Sequence, residues 1–374
     1  MSIKDRFRDP KLATHLLDRI KEGCKVLGRQ INLMEVCGTH TVSISRAGIR
    51  QILPENLRLV SGPGCPVCVT DQRDIDLIIE VVSEPEVILT TYGDMIHVPG
   101  TKGSLQEAKA QGRAVQVVYS PLDALKLAKQ NPDKTVIFYS VGFETTAPMA
   151  AATLEMAASE KVKNFKIYSV HKTVPPALDI LVSAEDVKID GFILPGHVST
   201  VLGGQAYRPV TEERGVPAVI TGFEPLDIIM GVERLVTQLV EGRAEVENAY
   251  TRAVKWEGNP VAQEMLAEFF IPVDATWRGI GTIPQSGLEL APQYADYNAK
   301  YTSAVERASR RLEGVKSEIK GCRCGDVLKG VILPYDCPLF GRACTPSRPV
   351  GPCMVSLEGS CAAYYKYERR SKAV

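Results

Sequence analysis

Eight short runs of β-branched and aromatic residues, each followed by a helical pattern, constrain the fold of this chain most strongly. The runs cover residues 31–36, 57–60, 86–92, 114–119, 135–141, 165–170, 191–195 and 217–221. Apolar strands that alternate with helices indicate parallel sheets covered on both faces. The sequence therefore predicts an α/β fold.

The eight runs form two sets of four that repeat at a constant spacing. The segment MEVCGTHT, which ends at Thr41, resembles YSVGFETT, which ends at Thr146, 105 residues further on. Leu89 in the third run and Leu194 in the seventh are also 105 residues apart. We interpret this repetition as an internal duplication that produces two similar parallel-sheet α/β domains.

The domain boundaries that we predict follow from this duplication. Residues 30–122 are α/β domain I and residues 123–230 are α/β domain II. Residues 231–374 are a helical and irregular C-terminal domain, on which the N-terminal helix of residues 1–29 packs. Ligands of open parallel sheets bind beyond the carboxyl ends of the strands, so we expect a functional cleft there, shared by the two α/β domains.

The charge balance argues against several functions. Lys plus Arg and Asp plus Glu are both 44, so no net field draws the chain to nucleic acid or to a membrane. The charged N-terminal segment is unlike a secretory signal, and no stretch of 18 apolar residues occurs. We expect a soluble, cytoplasmic protein that is a monomer by itself.

Ten cysteines in a reducing compartment indicate metal or redox chemistry. Six lie in a loop-rich C-terminal segment: Cys322, Cys324, Cys337, Cys344, Cys353 and Cys361. Soft thiolates concentrated in this way are typical of zinc sites or iron–sulfur clusters. Because most of them are spread singly, a four-thiolate 4Fe–4S cluster is favoured over zinc. The two remaining cysteines could form a dithiol that exchanges electrons with the cluster.

Further candidates fall in loops that follow predicted strands. Cys65 and Cys68 form a C-x-x-C motif before a predicted helix, where the thiolate is favoured and a redox role follows, although half a zinc site has the same spacing. Cys37, with His40 three residues on, is a metal ligand, a nucleophile or a buried thiol. His197 is a proton donor, a partner of a bound metal or an ordinary loop histidine.

Taken together, the short motifs of this chain resemble those of the HypD family, whose members mature nickel–iron hydrogenases. The motifs are CGTH (37–40), GPGCPVC (62–68), GFETT (142–146), PGHVS (195–199), DCPLFG (336–341) and CMVSLEG (353–359). They extend over nearly the whole chain, and their combination is far more specific than any one of them. The resemblance implies a scaffold that assembles the Fe(CN)2CO group together with the small chaperone HypC and the cyanide donor HypE.

The resemblance also implies a role for each motif residue. Cys37 would hold the transient Fe(CN)2CO iron, with Cys65 and Cys68 as a thiol–disulfide pair beside it and with His197 and Glu358 assisting across the cleft. One 4Fe–4S cluster would be bound by Cys322, Cys337, Cys344 and Cys361, with Cys324 and Cys353 as the linking redox pair. Whether Cys322 or Cys324 ligates the cluster stays open.

Two other functions are compatible with the same residues. A cluster-dependent thiol–disulfide oxidoreductase of the ferredoxin–thioredoxin reductase type would use the cysteines but give Cys37 no metal role. A cluster-dependent dehydratase would need an iron with an open coordination site, and therefore three cysteine ligands. The scaffold interpretation differs from both because it predicts no classical turnover of a small substrate.

Overall fold

The strands of the protein follow the predicted apolar runs closely. The computed structural model describes residues 9–317 and 319–368. The strands are β1 (Ile31–Glu35), β2 (Leu57–Ser61), β3 (Val87–Thr91), β4 (Val115–Val117), β5 (Thr135–Ser140), β6 (Phe165–Ser169), β7 (Gly191–Pro195), β8 (Ala218–Thr221), β9 (Val246–Asn248), β10 (Phe270–Trp277) and β11 (Gly281–Leu290). All eight runs are confirmed as strands β1 to β8.

Helices connect and cover these strands. They are α1 (Pro10–Leu27), α2 (Gly38–Ala47), α3 (Ile49–Ile52), α4 (Pro66–Val69), α5 (Gln72–Val81), α6 (Leu105–Ala110), α7 (Pro121–Gln130), α8 (Ala147–Ser159), α9 (Val174–Ser183), α10 (Gly196–Leu202), α11 (Arg208–Glu212), α12 (Pro225–Glu241), α13 (Pro260–Phe269), α14 (Ser303–Arg311), α15 (Cys324–Leu328), α16 (Pro352–Val355) and α17 (Ser360–Tyr367). No described helix has both the length and the apolar character that crossing a membrane requires.

Two parallel sheets form the centre of the molecule. The first sheet has the strand order β2-β1-β7-β8-β9 and the second has the order β4-β3-β5-β6. All neighbouring strands in both sheets are parallel. The central strands β3 and β7 are buried along their whole length, as expected where helices cover both faces. The α/β class predicted from the sequence is confirmed.

The strands do not divide between the sheets at residue 122, as the predicted boundaries would require. The first sheet joins β1 and β2 to β7 and β8, whereas β3 to β6 form the second sheet. The repeat spacing of 105 residues still relates the two sheets, because it pairs β1 with β5, β2 with β6, β3 with β7 and β4 with β8. When each strand is replaced by its counterpart, the order β2-β1-β7-β8 of the first sheet becomes β6-β5-β3-β4, which is the order of the second sheet. Each repeat therefore contributes one pair of strands to each sheet.

The region after β8 differs from the helical pattern expected from residue 231 onward. Helix α12 ends at Gly242, which adopts a left-handed backbone with φ 65°, so the helix does not continue through residues 243–254. This predicted helical and irregular domain also contains the antiparallel hairpin of β10 and β11. Helix α1 packs against α12, and its first turn is capped by the Asp9 carboxylate.

Candidate functional site

A cleft lies where the two sheets present the carboxyl ends of their central strands to each other. The strand order of the first sheet reverses between β1 and β7, and that of the second between β3 and β5. Such switch points are where open parallel sheets bind ligands. A cavity of about 460 Å³ lies there and is lined by residues that follow these four strands, including Cys37, Asp94, Phe143 and His197, and by Glu358 from the C-terminal segment.

The Cys37 thiol lies at the start of helix α2. Cys37 is the extended residue before the helix, and the backbone N–H groups of Thr39 and His40 lie close to its sulfur. Burial, followed by the negative charge of Glu358, raises the pKa of Cys37 to about 11, although these two N–H groups oppose the rise. The thiol is therefore protonated at neutral pH.

Glu358 reaches the cleft from the C-terminal segment and is held by both sheets. The Thr39 hydroxyl, in α2, donates to Glu358 Oε1 at 2.7 Å. On the other side, Asp94 follows β3 and its Oδ2 accepts from the Ser356 hydroxyl at 3.1 Å and from the Leu357 N–H at 3.4 Å. These contacts fix residues 356–358 between the two sheets, next to Cys37.

His197 lies opposite, in the first turn of α10. Its ring stacks on Phe223 with centroids 4.0 Å apart. Burial lowers the pKa of His197, whereas the negative charge of Glu358 opposes that shift. A neutral imidazole has one nitrogen that can accept a proton or bind a metal.

His40 does not join this group, although it is only three residues from Cys37. Its Nε2 lies 2.9 Å from both the Thr221 hydroxyl and the Gly222 carbonyl, and the ring is fully buried. Burial lowers the pKa of His40 to about 4. Its contacts fix α2 against β8, which is a structural role.

The C-x-x-C motif forms part of the wall of the cleft. Cys65 and Cys68 are joined by a disulfide in the structure, with Cα atoms 5.3 Å apart. The residues between and before them, including Pro66 and Val67 of α4, line the cavity. On its other side α4 packs against α16, which carries Cys353.

The six C-terminal cysteines line a second, much smaller cavity. They are Cys322, Cys324, Cys337, Cys344, Cys353 and Cys361. The thiol of Cys324 is in hydrogen-bonding contact with those of Cys322 and Cys353. Within residues 9–317 and 319–368, no three His, Cys, Asp or Glu side chains are arranged to hold a single metal ion.

The fold and these two cavities define a parallel α/β protein with cysteines at facing strand ends and a second cysteine cluster behind them. A family model for HypD, described as the hydrogenase formation hypA family, matches residues 11–368. The chain belongs to the HypD family of hydrogenase maturation factors.

Relatives from distant organisms match over almost their whole length. The chain is 45% identical to hydrogenase maturation factor HypD of Azotobacter vinelandii, covering 100% of this chain and 99% of that protein. It is 43% identical to HypD of Escherichia coli K12, covering 99% of both chains. A putative hydrogenase expression/formation protein of Methanocaldococcus jannaschii is 42% identical, with 97% and 99% covered.

Proposed function

We propose that the chain is a cytoplasmic scaffold and redox protein for assembly of the Fe(CN)2CO group of nickel–iron hydrogenases. The observation that carries the proposal is the cleft that brings Cys37, His197 and Glu358 together beside the Cys65–Cys68 disulfide. Low-spin ferrous iron with cyanide and carbonyl ligands prefers thiolate donors. The cleft therefore offers the Cys37 thiol as a donor to the iron, with the Glu358 carboxylate and the His197 imidazole lining the same cavity.

The environment of Cys37 suits a thiol that ionises only when the iron arrives. Glu358 and burial keep the thiol protonated in the empty cleft. A bound cation reverses that balance, because it stabilises the thiolate directly. The Thr39 hydroxyl holds the Glu358 carboxylate in place beside Cys37.

The C-terminal cysteines fit the residues that a 4Fe–4S cluster requires. Burial first, and then the charges of Cys322, Cys344, Cys324 and Cys337, raise the pKa of Cys361. These neighbours include every other member of the ligand set Cys322, Cys337, Cys344 and Cys361, and all four line the same small cavity. A cluster held there supplies electrons one at a time.

Cys324 and Cys353 line the same small cavity as this ligand set. Their thiols are in contact, and α16, which carries Cys353, packs against α4 with its Cys65–Cys68 disulfide. Neighbouring thiol pairs exchange through mixed disulfides. The contact between α16 and α4 connects the two cysteine groups.

We assign HypC and HypE as the partners at this cleft. The rim next to Glu358 carries Leu357, whose side chain is 73% exposed. Met149, in the first turn of α8 beside the cavity residues Thr145 and Thr146, is 50% exposed. Exposed apolar side chains around a cleft favour docking of another protein.

An infrared spectrum of the protein, purified anaerobically with any bound partner, tests the proposal. We expect bands from metal-bound cyanide and carbonyl in the wild-type complex. The Cys37→Ala variant should lose these bands but keep its cluster iron and sulfide. A wild-type complex that retains the chaperone and shows no such bands would contradict the scaffold role.

The contact between α16 and α4 also favours the second candidate, a cluster-dependent thiol–disulfide oxidoreductase. Such a protein needs Cys65 and Cys68 but not Cys37. The oxidoreductase is favoured if the Cys37→Ala variant reduces disulfides at the wild-type rate and if neither the variant nor the wild-type protein shows cyanide or carbonyl bands.

A further inference from the structure

A third cavity, of about 230 Å³, lies at the carboxyl end of β6, an edge strand of the second sheet. Its wall comes mainly from residues 169–172 at the end of β6, residues 71–74 at the start of α5, and both strands of the β10–β11 hairpin. It shares no lining residue with the cleft. Open parallel sheets bind ligands beyond the carboxyl ends of their strands, and none of the preceding roles uses this position.

Lys172 is a buried cation in the wall of this cavity. The residue is only 3% exposed, and its Nζ donates one hydrogen bond, to the Thr276 carbonyl at 2.9 Å. The ammonium also lies over the Trp277 ring, 5.8 Å from the centroid. An ammonium group has three N–H donors, so within the described residues two of them have no acceptor, and the group forms no ion pair there.

An acidic side chain lines the same cavity without contacting this lysine. Asp74 lies in the first turn of α5, and its Oδ1 accepts from the Tyr168 hydroxyl at 3.1 Å. Its Oδ2 accepts no hydrogen bond from the residues that the structure describes, and Asp74 forms no ion pair with them. Asp71, which caps α5, lines the cavity as well. The wall therefore carries an ammonium and a carboxylate that both lack an oppositely charged partner.

Other charged groups of the wall are already engaged. Lys300 forms an ion pair with Glu289. The Asp274 carboxylate accepts from the Gln285 backbone N–H at 3.0 Å. These contacts hold the hairpin side of the cavity together but leave the charge of Lys172 without compensation. A buried charge in that position is costly unless a ligand supplies its partner.

The electrostatics of the two groups agree with their placement. Burial lowers the pKa of Lys172, and the negative charges of Asp74 and Asp71 oppose that shift. Burial raises the pKa of Asp74, and the positive charge of Lys172 opposes that rise. Each group thus favours the charged form of the other across the cavity, although the two side chains do not touch.

This arrangement selects the class of ligand. A simple anion would meet the Lys172 ammonium but would be repelled by Asp71 and Asp74, and a simple cation would meet the reverse. A zwitterion gives both groups of the wall a charge-assisted hydrogen bond. The volume lies below the range of about 300–1,000 Å³ that is usual for ligand pockets, which indicates a molecule of few heavy atoms.

We propose that this cavity binds a small zwitterion of the α-amino acid class, with its carboxylate on Lys172 and its ammonium on Asp74. The site lies directly behind the wall of the cleft, because Gly142 and Phe143 line the cleft. The Lys172 backbone N–H donates to the Gly142 carbonyl at 3.0 Å, and Trp277 stacks on Phe143 with centroids 5.9 Å apart. Binding there is independent of the scaffold role, since the two cavities have no lining residue in common.

The test is saturation-transfer NMR with the full-length protein, purified anaerobically. Glycine, L-alanine and L-serine are the zwitterionic probes. Acetate and methylamine carry only one of the two charges and are compared at the same concentrations. We expect saturation to pass from the protein to the three amino acids, and titrations to show about tenfold weaker binding of acetate and methylamine.

Matched variants place the binding in this cavity. Lys172→Met removes the ammonium but keeps the length of the side chain, whereas Asp74→Asn removes the negative charge but keeps an acceptor for the Tyr168 hydroxyl. Each should weaken amino-acid binding about tenfold, because a hydrogen bond to a charged group is lost. Lys126→Met, which removes an exposed lysine paired with Asp123, should bind like wild type. If Lys172→Met does not fold, Asp74→Asn decides.

Three results would overturn the inference. They are no saturation transfer to any of the three amino acids, binding of acetate or methylamine as tight as that of glycine, and wild-type binding in either folded variant. The last result would place the amino acid elsewhere on the protein. The infrared spectrum of the wild-type complex tests the scaffold role separately, so either conclusion can fail without the other.

Discussion

At the scale of single residues, opposing influences act on the pKa of the Cys37 thiol. A thiol at a helix N-terminus is normally a better acid, because the first N–H groups of the helix stabilise the thiolate. Here burial and the Glu358 carboxylate outweigh that effect, and the pKa of Cys37 rises to about 11. A protonated thiol is protected from oxidation until a cation enters the cleft.

Replacing Glu358 with Gln should therefore make Cys37 more reactive. The variant removes a negative charge that raises the pKa of Cys37, so that pKa should fall. Below both pKa values the rate of alkylation is proportional to the thiolate fraction, and we expect it to rise roughly three- to tenfold at pH 8. Alkylation of Cys37 as a function of pH, followed by mass spectrometry, measures the change.

Thr39→Val is the control for this experiment. It removes the hydrogen bond from the Thr39 hydroxyl to Glu358 but keeps the carboxylate charge near Cys37. Because the Thr39 hydroxyl itself lowers the pKa of Cys37, this variant should not speed the alkylation, whereas Glu358→Gln should. An unchanged or slower reaction in Glu358→Gln would mean that Glu358 does not control the thiol.

At the scale of secondary-structure elements, close backbone approaches decide where the functional side chains lie. Helix α17 packs against α2, and the loop before α17 crosses the start of α2 at Gly38. A Cβ atom added at Gly38 would lie 2.5 Å from Glu358 Cβ and 2.6 Å from the Glu358 carbonyl oxygen. Only glycine permits this approach, which brings Glu358 within reach of Cys37.

Gly38→Ala should separate the two elements. The added methyl group forces the Glu358 backbone away and so breaks the hydrogen bond from the Thr39 hydroxyl to Glu358. We expect the free energy of unfolding to fall by about 1–3 kcal/mol. We also expect loss of the cyanide and carbonyl bands, since Glu358 no longer faces Cys37. Chemical denaturation and infrared spectra of the same preparation test both effects.

Gly93→Ala is a matched control, because Gly93 also lines the cleft. A Cβ atom there would have its nearest neighbour at 3.8 Å, an ordinary contact with Val117. This variant should keep the wild-type free energy of unfolding and the cyanide and carbonyl bands. If Gly38→Ala behaves like Gly93→Ala, the position of Glu358 does not depend on the crossing.

At the scale of the whole molecule, features that depend on local sequence could be predicted, whereas features that depend on contacts between distant segments could not. The strands could be predicted because β-branched runs such as residues 135–141 form strands in any pairing. The cleft could be predicted because parallel strands end at one edge. Nothing local in β1 selects β7 rather than β3 as its neighbour, so the exchange of strands between the sheets could not be predicted.

Sequence reasoning missed the close approach of Gly279 to Gly325 for the same kind of reason, because the two glycines are distant in the chain. Cys37, Cys65 and Cys68 were found because they lie in the segments that follow β1 and β2. Asp94 follows β3 and carries that same signal, but its contact with residues 356 and 357 is again non-local.

The shared core of the two sheets also holds a carboxyl group that should make stability depend on pH. Glu144 follows β5 and is 2% exposed, with Oε1 accepting from the Val174 N–H at 2.8 Å and Oε2 buried without a hydrogen bond in the described chain. Burial raises the pKa of Glu144 from 4.5 to about 7. The folded protein therefore binds this proton more tightly than the unfolded chain.

It follows that ionisation of Glu144 lowers the free energy of unfolding as the pH rises from 4.5 to about 7. Below pH 4.5 the carboxyl is protonated in both states, and between pH 4.5 and about 7 the unfolded chain alone releases the proton. Glu144→Gln keeps an acceptor for Val174 and removes this loss. It should raise the unfolding free energy by about 2–3 kcal/mol at pH 8 and change it little near pH 4.5.

Denaturant unfolding at both pH values measures this difference. Glu264→Gln, which replaces an exposed glutamate in α13, should give the same small change at each pH. A stabilisation by Glu144→Gln that is equal at pH 4.5 and pH 8 would show that the buried carboxyl is not the source of the pH dependence. A stabilisation confined to pH 8 would identify Glu144 as a group whose ionisation the intact pair of sheets opposes.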